Sequence, residues 1–247
     1  MEEATRLDAR ARFRLRYTAI GVLTAALVLL AFLHVGGRFD RLDRYALGHW
    51  MPALDPEPDT EKWPSVWGLF APFSLDDPWW ERLLALGTYP ASALVSFLVF
   101  AAGCVVLWRR GARLAALVWG CSWFAANAVE VALKASLVRP PLYALGSDGV
   151  EHHLRGFDHA FPSGHTLRAV MVAGLLVYLW RRLLWPAAVW ALTVPVLLVV
   201  SASHVPADVI GGLVFGLLVV VTTVTVAESE WLESRLGARW PVLRRAA

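Results

Sequence analysis

The chain has 247 residues, 57% of them hydrophobic and 17% charged, with a formal net charge of +3. Mean hydropathy is +0.53, too apolar for an ordinary soluble surface, and the excess is gathered in long runs, as in a membrane protein. The slight basic balance excludes nucleic acid as the partner, because the 23 Lys+Arg residues cluster in short segments flanking apolar runs, where they set membrane orientation.

Residues 1–16 carry five arginines, Arg6, Arg10, Arg12, Arg14 and Arg16, and read as a basic cytoplasmic N-terminus. The first apolar run, 17–36, is too long for a signal h-region and lacks a small-x-small cleavage site, so it reads as a retained anchor. Residues 37–82 form a long extracytoplasmic loop with Trp50, Trp63, Trp67, Trp79 and Trp80. Tryptophan favours the headgroup zone, so Trp63–Leu75 is expected along the outer surface.

Further spans are predicted over 83–107, 114–134, 166–183, 185–202 and 208–227, since a span needs roughly 20 apolar residues. Only the turn around Arg181-Arg182 separates the fourth and fifth, which implies a tight hairpin. The expected fold is all-α: a polytopic membrane bundle of about six helices over 17–227, followed by a cytoplasmic tail, 228–247. With the N-terminus inside, 14 Lys+Arg fall on the cytoplasmic side and 9 on the other, so both termini are placed in the cytoplasm. Cys104 and Cys121 lie inside apolar runs, where a structural disulfide is not expected.

Ionisable residues in apolar runs are costly and point to function. Three clusters stand out, each at the extracytoplasmic end of a different span. The first is Asn127, Glu130, Lys134 and Arg139. Glu130 and Lys134 share a helix face and can pair, while Lys134 and Arg139 can hold a phosphate. Only two of the 23 basic residues are lysine, Lys62 and Lys134, so Lys134 is not compositional filler.

The second cluster is Phe161-Pro162-Ser163-Gly164-His165-Thr166. Gly164 lets the backbone approach an anion, Ser163 adds a hydroxyl, and a helix start faces phosphate with its free N–H groups. His165 can move a proton near neutral pH. The third cluster is His204 with Asp208, four residues apart on a helix start, where the carboxylate can orient the imidazole for nucleophilic attack. Together these suit phosphoryl transfer. Glu151-His152-His153 and Asp158-His159 do not fit a closed zinc pattern and read as a polar loop over the site.

At these residues the sequence resembles the type 2 phosphatidic acid phosphatase superfamily, which includes bacterial lipid-phosphate and undecaprenyl-diphosphate phosphatases. Pro162-Ser163-Gly164-His165 matches the family's middle motif. His204-x3-Asp208, followed by Gly211-Gly212, matches the last. The resemblance implies a membrane lipid-phosphate phosphatase with His204 as nucleophile, forming a phosphohistidine, Asp208 orienting it and His165 protonating the leaving oxygen. It places Lys134, Arg139, Ser163 and Gly164 on the phosphate and implies no metal or other cofactor.

Two positions depart from the family pattern. Arg139-Pro140 comes two residues earlier after Lys134 than the family's Arg-Pro. The Arg usual six residues before the last histidine is replaced by Leu198, inside an uncharged run from Leu183 to Ser203. Arg168, one turn after His165, is the candidate substitute if its side chain turns inward. The expected partners are a lipid phosphate and the bilayer, at the outer face of a bacterial inner membrane. The gap at Leu198 motivates the other reading, a non-catalytic relative that binds lipid phosphate or acts as a scaffold. Nothing in the sequence specifies an oligomeric state.

Overall fold

The computed structural model describes residues 2–50, 79–139, 142–145, 151–153, 159–201 and 203–229. Helix α1 spans Glu2–Val35, α2 Asp40–His49, α3 Trp79–Thr88, α4 Ala93–Arg109 and α5 Arg113–Ser136. Helix α6 spans Gly164–Leu179, α7 Leu184–Val200 and α8 Pro206–Ala227. The expectation for Trp63–Leu75 falls outside the described residues.

All six predicted spans coincide with helical segments, but not all as uninterrupted crossings. Four are long and apolar enough to cross a membrane: Phe13–Val35, Arg113–Ser136, Arg181–Val200 and Pro206–Ala227. The predicted second span is broken: Arg82–Ala91 and Ala93–Arg109 meet at 49°, and as one bent crossing they bring the number to five. The break has a local cause. Pro90 sits in a 3-10 turn, Tyr89–Ala91, and cannot donate a backbone N–H. Ser92 then caps α4 by accepting from the Val95 N–H. The carbonyls released by the break find new donors, Trp190 Nε1 on Gly87 and Arg168 Nε on Ala91.

The predicted fourth span, α6, has 16 residues, or about 24 Å, short of a hydrocarbon core of about 30 Å. It is the central element, packed against α4, α7 and α8. Most of its residues are buried in protein, from Gly164 to Leu179. Close approach to α8 depends on small residues, as in other membrane bundles: Gly216 faces Val170 and Gly174 faces Val220. The 3-10 turn Arg181–Leu183 closes the α6–α7 hairpin.

The described residues are overwhelmingly helical, as expected, with one small two-stranded antiparallel ribbon, β1 Tyr143–Leu145 with β2 Glu151–His153. His152 and His153 therefore lie on a strand paired with Tyr143 and Ala144.

The ends of the helices sort into two groups. Arg16 of α1 pairs with Glu228 beyond α8 at 2.7 Å, and Arg110 Nη1 donates to Leu179 O at the end of α6 at 3.1 Å. The Arg16 level of α1, the start of α5 and the ends of α4, α6 and α8 therefore share one end of the bundle. The chemical clusters lie at the other. There α1 ends in a Schellman-type turn, with Arg38 N–H donating to Leu33 O and Gly37 at φ +66°. That left-handed residue, easy only for glycine, turns the chain so that α2 packs against α8 and β1.

Candidate active site

Three helix termini build the site. Lys134 lies in the last turn of α5, His165 in the first turn of α6, and His204 just before α8. Glu130 of α5 takes Arg168 of α6 at 2.9 Å, and Ser163 N–H before α6 donates to Asp208 O of α8 at 2.9 Å, so the three helix ends adjoin.

The expected Glu130–Lys134 pair forms, with Lys134 Nζ 2.7 Å from Glu130 Oε1. The other oxygen, Oε2, takes Arg168 Nη1 at 2.9 Å. Arg168 thus turns inward. Its guanidinium also donates to Asn127 Oδ1 at 3.0 Å and Ala91 O at 2.9 Å. Glu130 and Arg168 are both buried, and the carboxylate between two cations offsets charge that the bundle interior would not tolerate alone.

The same carboxylate explains Gly164. A Cβ at that position would overlap Glu130 Oε1. The anion that the glycine admits to the start of α6 is therefore one of the protein's own. We expect Gly164→Ala to force this carboxylate off its two cations, at about 1–3 kcal/mol of overpacking cost; thermal unfolding in detergent measures it. Ser163 caps α6, its Oγ accepting from Thr166 N–H at 3.4 Å and Thr166 Oγ1 at 3.2 Å. Its own N–H donates to Asp208 O at 2.9 Å, which ties the Pro-Ser-Gly-His loop to α8.

His204 Nδ1 lies 3.4 Å from Asp208 Oδ2, as the four-residue spacing implies. The same oxygen accepts from Val205 N–H at 3.4 Å, so Asp208 also caps α8. This contact leaves Nε2 as the imidazole nitrogen available to an electrophile.

Arg139 is placed differently from Lys134. It is buried, and its Nη1 lies 2.6 Å from Asp43 Oδ2 in an ion pair whose side chains are 0% exposed. Its Nε and Nη2 find no partner among the described residues. Beside it, His34 is buried and stacked on Phe161, ring centroids 4.3 Å apart. His34 lies within electrostatic range of Arg139 and Asp208, and both its ring nitrogens and Asp208 Oδ1 also lack partners among the described residues.

His34 and Asp43 are absent from the sequence reading. His34 carried a usable signal, an ionisable residue at the end of an apolar run. Asp43 carried none that linked it to Arg139, 96 residues away.

Leu198, where the resemblance leads one to expect arginine, is 3% exposed. It belongs to an apolar cluster with Leu47, Ala91, Leu142, Val194 and Val205. Its carbonyl accepts from both Ser203 and His204 N–H, at 3.0 and 3.1 Å, so the residue shapes the turn before His204. Restoring the arginine would bury a charge among these side chains. We expect Leu198→Arg to lower the yield of folded protein in detergent and to give no gain in turnover.

His159 Nδ1 lies 3.3 Å from Lys134 O, which puts the end of the 151–159 loop beside the site; Asp158 is outside the described residues. Among the described residues no three His, Cys, Asp or Glu side chains gather as a metal site.

Residues 115–231 match the family model described as the PAP2 superfamily. The match is consistent with a member of the type 2 phosphatidic acid phosphatase superfamily. PAP2 membership suggests lipid phosphatase activity in a helical membrane protein. The PAP2 segment starts in α5 and runs past α8, so it holds Lys134, Arg139, His165, Arg168, His204 and Asp208 but not His34 or Asp43. No curated protein and no solved structure matches the chain.

Proposed function

We propose that this chain is a membrane lipid-phosphate phosphatase that works through a phosphohistidine. Its substrate is a phosphomonoester or diphosphate of a lipid, in the class of polyprenyl diphosphate, phosphatidate or phosphatidylglycerophosphate, with the site at the outer face of a bacterial inner membrane. The observation that carries this reading is the joining of three helix ends, with Lys134 and Arg168 on one carboxylate, the Ser163–His165 turn tied to Asp208 O, and Asp208 beside His204.

In the first step His204 Nε2 attacks phosphorus. An N–P bond forms as the bond to the lipid oxygen or leaving phosphate breaks, and His165 gives that oxygen its proton. Asp208 accepts from Nδ1 and stabilises the imidazole as it becomes cationic. In the second step His165, now neutral, takes a proton from water, whose oxygen attacks phosphorus and frees His204 and inorganic phosphate. Lys134, the Ser163 hydroxyl, the Gly164 N–H and the Nε–Nη2 edge of Arg139 hold the phosphoryl oxygens.

Arg168 supports this clamp through Glu130, which it shares with Lys134. Lys134, Arg139 and Arg168 are offset by Glu130, Asp43 and Asp208. Neutralisation of the departing oxyanion therefore depends on the proton from His165. An amphiphilic substrate suits a site at a helix end, since its tail can stay in the bilayer.

Purified protein in detergent, given a panel of lipid phosphates with chelator present, is expected to release inorganic phosphate. Tight lipid-phosphate binding with no release from any member would favour the non-catalytic reading that Leu198 motivates.

A further inference from the structure

Asp43 lies on α2, outside the PAP2 segment, yet it touches two parts of the site. Its Oδ2 takes Arg139 Nη1 at 2.6 Å. Its Oδ1 takes the backbone N–H of Ala207 at 3.0 Å, in the first turn of α8. Ala207 directly precedes Asp208, and His204 is three residues back. The residue is 0% exposed, so water does not compete for either oxygen.

We propose that Asp43 is a positioning residue for phosphoryl transfer: one carboxylate, split between Arg139 and the start of α8, holds the phosphate-binding guanidinium in register with the His204–Asp208 pair. This rests on the phosphatase reading above.

The geometry explains why Arg139 is aimed rather than merely buried. A guanidinium has five donors in a rigid fork. Asp43 engages Nη1 and leaves Nε and Nη2 without partners among the described residues. Those two lie on the edge that pairs side by side with two oxygens of a phosphate. Without Asp43 the fork would be free to rotate, and the α8 start would lose one of its orienting bonds. The N-terminal part of the chain thus completes a site whose motifs all lie elsewhere.

Asp43 is also poised to lose its charge. Burial pushes its carboxyl up to about 6 from the ordinary 3.8; the Ala207 N–H and Arg139 oppose this, and the charge of Asp208 adds to it. The charged groups around it are Arg139 before β1 and Asp208 on α8; His34 of α1 is in electrostatic range of both. On α2 itself, Asp40 and Arg44 pair with each other at 3.7 Å.

The test is a double-mutant cycle on the full chain in detergent. Arg139→Gln should lower kcat/KM by about 10²-fold, the scale of a lost oxyanion donor. Asp43→Asn keeps an acceptor for Ala207 but removes the charge, and should cost about tenfold at pH above about 7, by analogy with an interaction lost in a coupled network. If Asp43 acts through Arg139, the double variant is no slower than Arg139→Gln. A merely structural aspartate would give additive losses, which would overturn the proposal.

The ratio of wild type to Asp43→Asn removes titrations common to both proteins. It should shrink toward one as pH falls through about 6, where wild-type Asp43 is itself protonated; a ratio constant with pH contradicts the proposal. Inorganic phosphate affinity, measured by calorimetry on the same four proteins, separates the two readings. Phosphate binding without turnover sinks the phosphatase reading alone, and the coupling is then read from affinity. Turnover with additive variants sinks the role of Asp43 alone, and neither turnover nor phosphate binding sinks both.

Discussion

His204→Ala is expected to release no measurable phosphate from any lipid phosphate that the wild type hydrolyses, a loss on the order of 10⁴-fold or more, since it removes the atom that forms the covalent bond. The change should barely touch the fold. His204 lies outside the helices and is only partly buried, and its polar contact is the 3.4 Å approach to Asp208. The variant should therefore purify as wild type and still bind inorganic phosphate through Lys134 and Arg139. Retained turnover would remove the phosphohistidine from the mechanism. Asp208→Asn should be milder at the chemical step but should also loosen α8, because the same carboxylate caps Val205.

The second large effect is on stability. Glu130→Ala is expected to destabilise the bundle by about 3–5 kcal/mol, the usual result of removing one member of a buried charge group. Arg168 would lose its carboxylate while held inside α6, with Ala91 and Asn127 as remaining acceptors. Lys134 would lose its 2.7 Å partner, but its side chain is 29% exposed and water can compensate part of that loss. Most of the cost therefore falls on Arg168. Glu130→Gln preserves shape and one acceptor and should be less harmful; the ordering Ala below Gln below wild type, read by thermal unfolding in detergent, checks the argument. Equal stability of all three would show that the Arg168 charge is satisfied elsewhere.

The six apolar segments were legible because hydrophobicity is local and additive along the chain. Their division was less so. The break before α4 depends on Pro90 and on Trp190 and Arg168, which satisfy the carbonyls it frees and are both remote in sequence. The shortness of α6 follows from its place at the centre, where protein rather than lipid surrounds it.

The site divides in the same way. Pairs four residues apart, Glu130–Lys134 and His204–Asp208, follow from helix periodicity alone. Arg168 turned inward because Glu130 and the Ala91 carbonyl wait there, a fact of tertiary packing. Gly164 was read as admitting a phosphate close to the backbone; the group it admits in the structure is the Glu130 carboxylate. The clamp on Arg139 was not legible, since Asp43 lies among the charges of a loop that pattern alone leaves solvated. Leu198 shows the reverse: a missing arginine was visible in sequence, and only the packing shows that leucine there fills an apolar cluster.

The central claim is covalent catalysis by His204. Its most direct test is to mix the purified protein with a lipid phosphate carrying radiolabel in its terminal phosphoryl group, quench in alkali within one turnover, and map the labelled residue. The account predicts an acid-labile, alkali-stable label on His204 that is absent from His204→Ala. Phosphate release at the wild-type rate with no label on the protein, or with label on another residue, would contradict it.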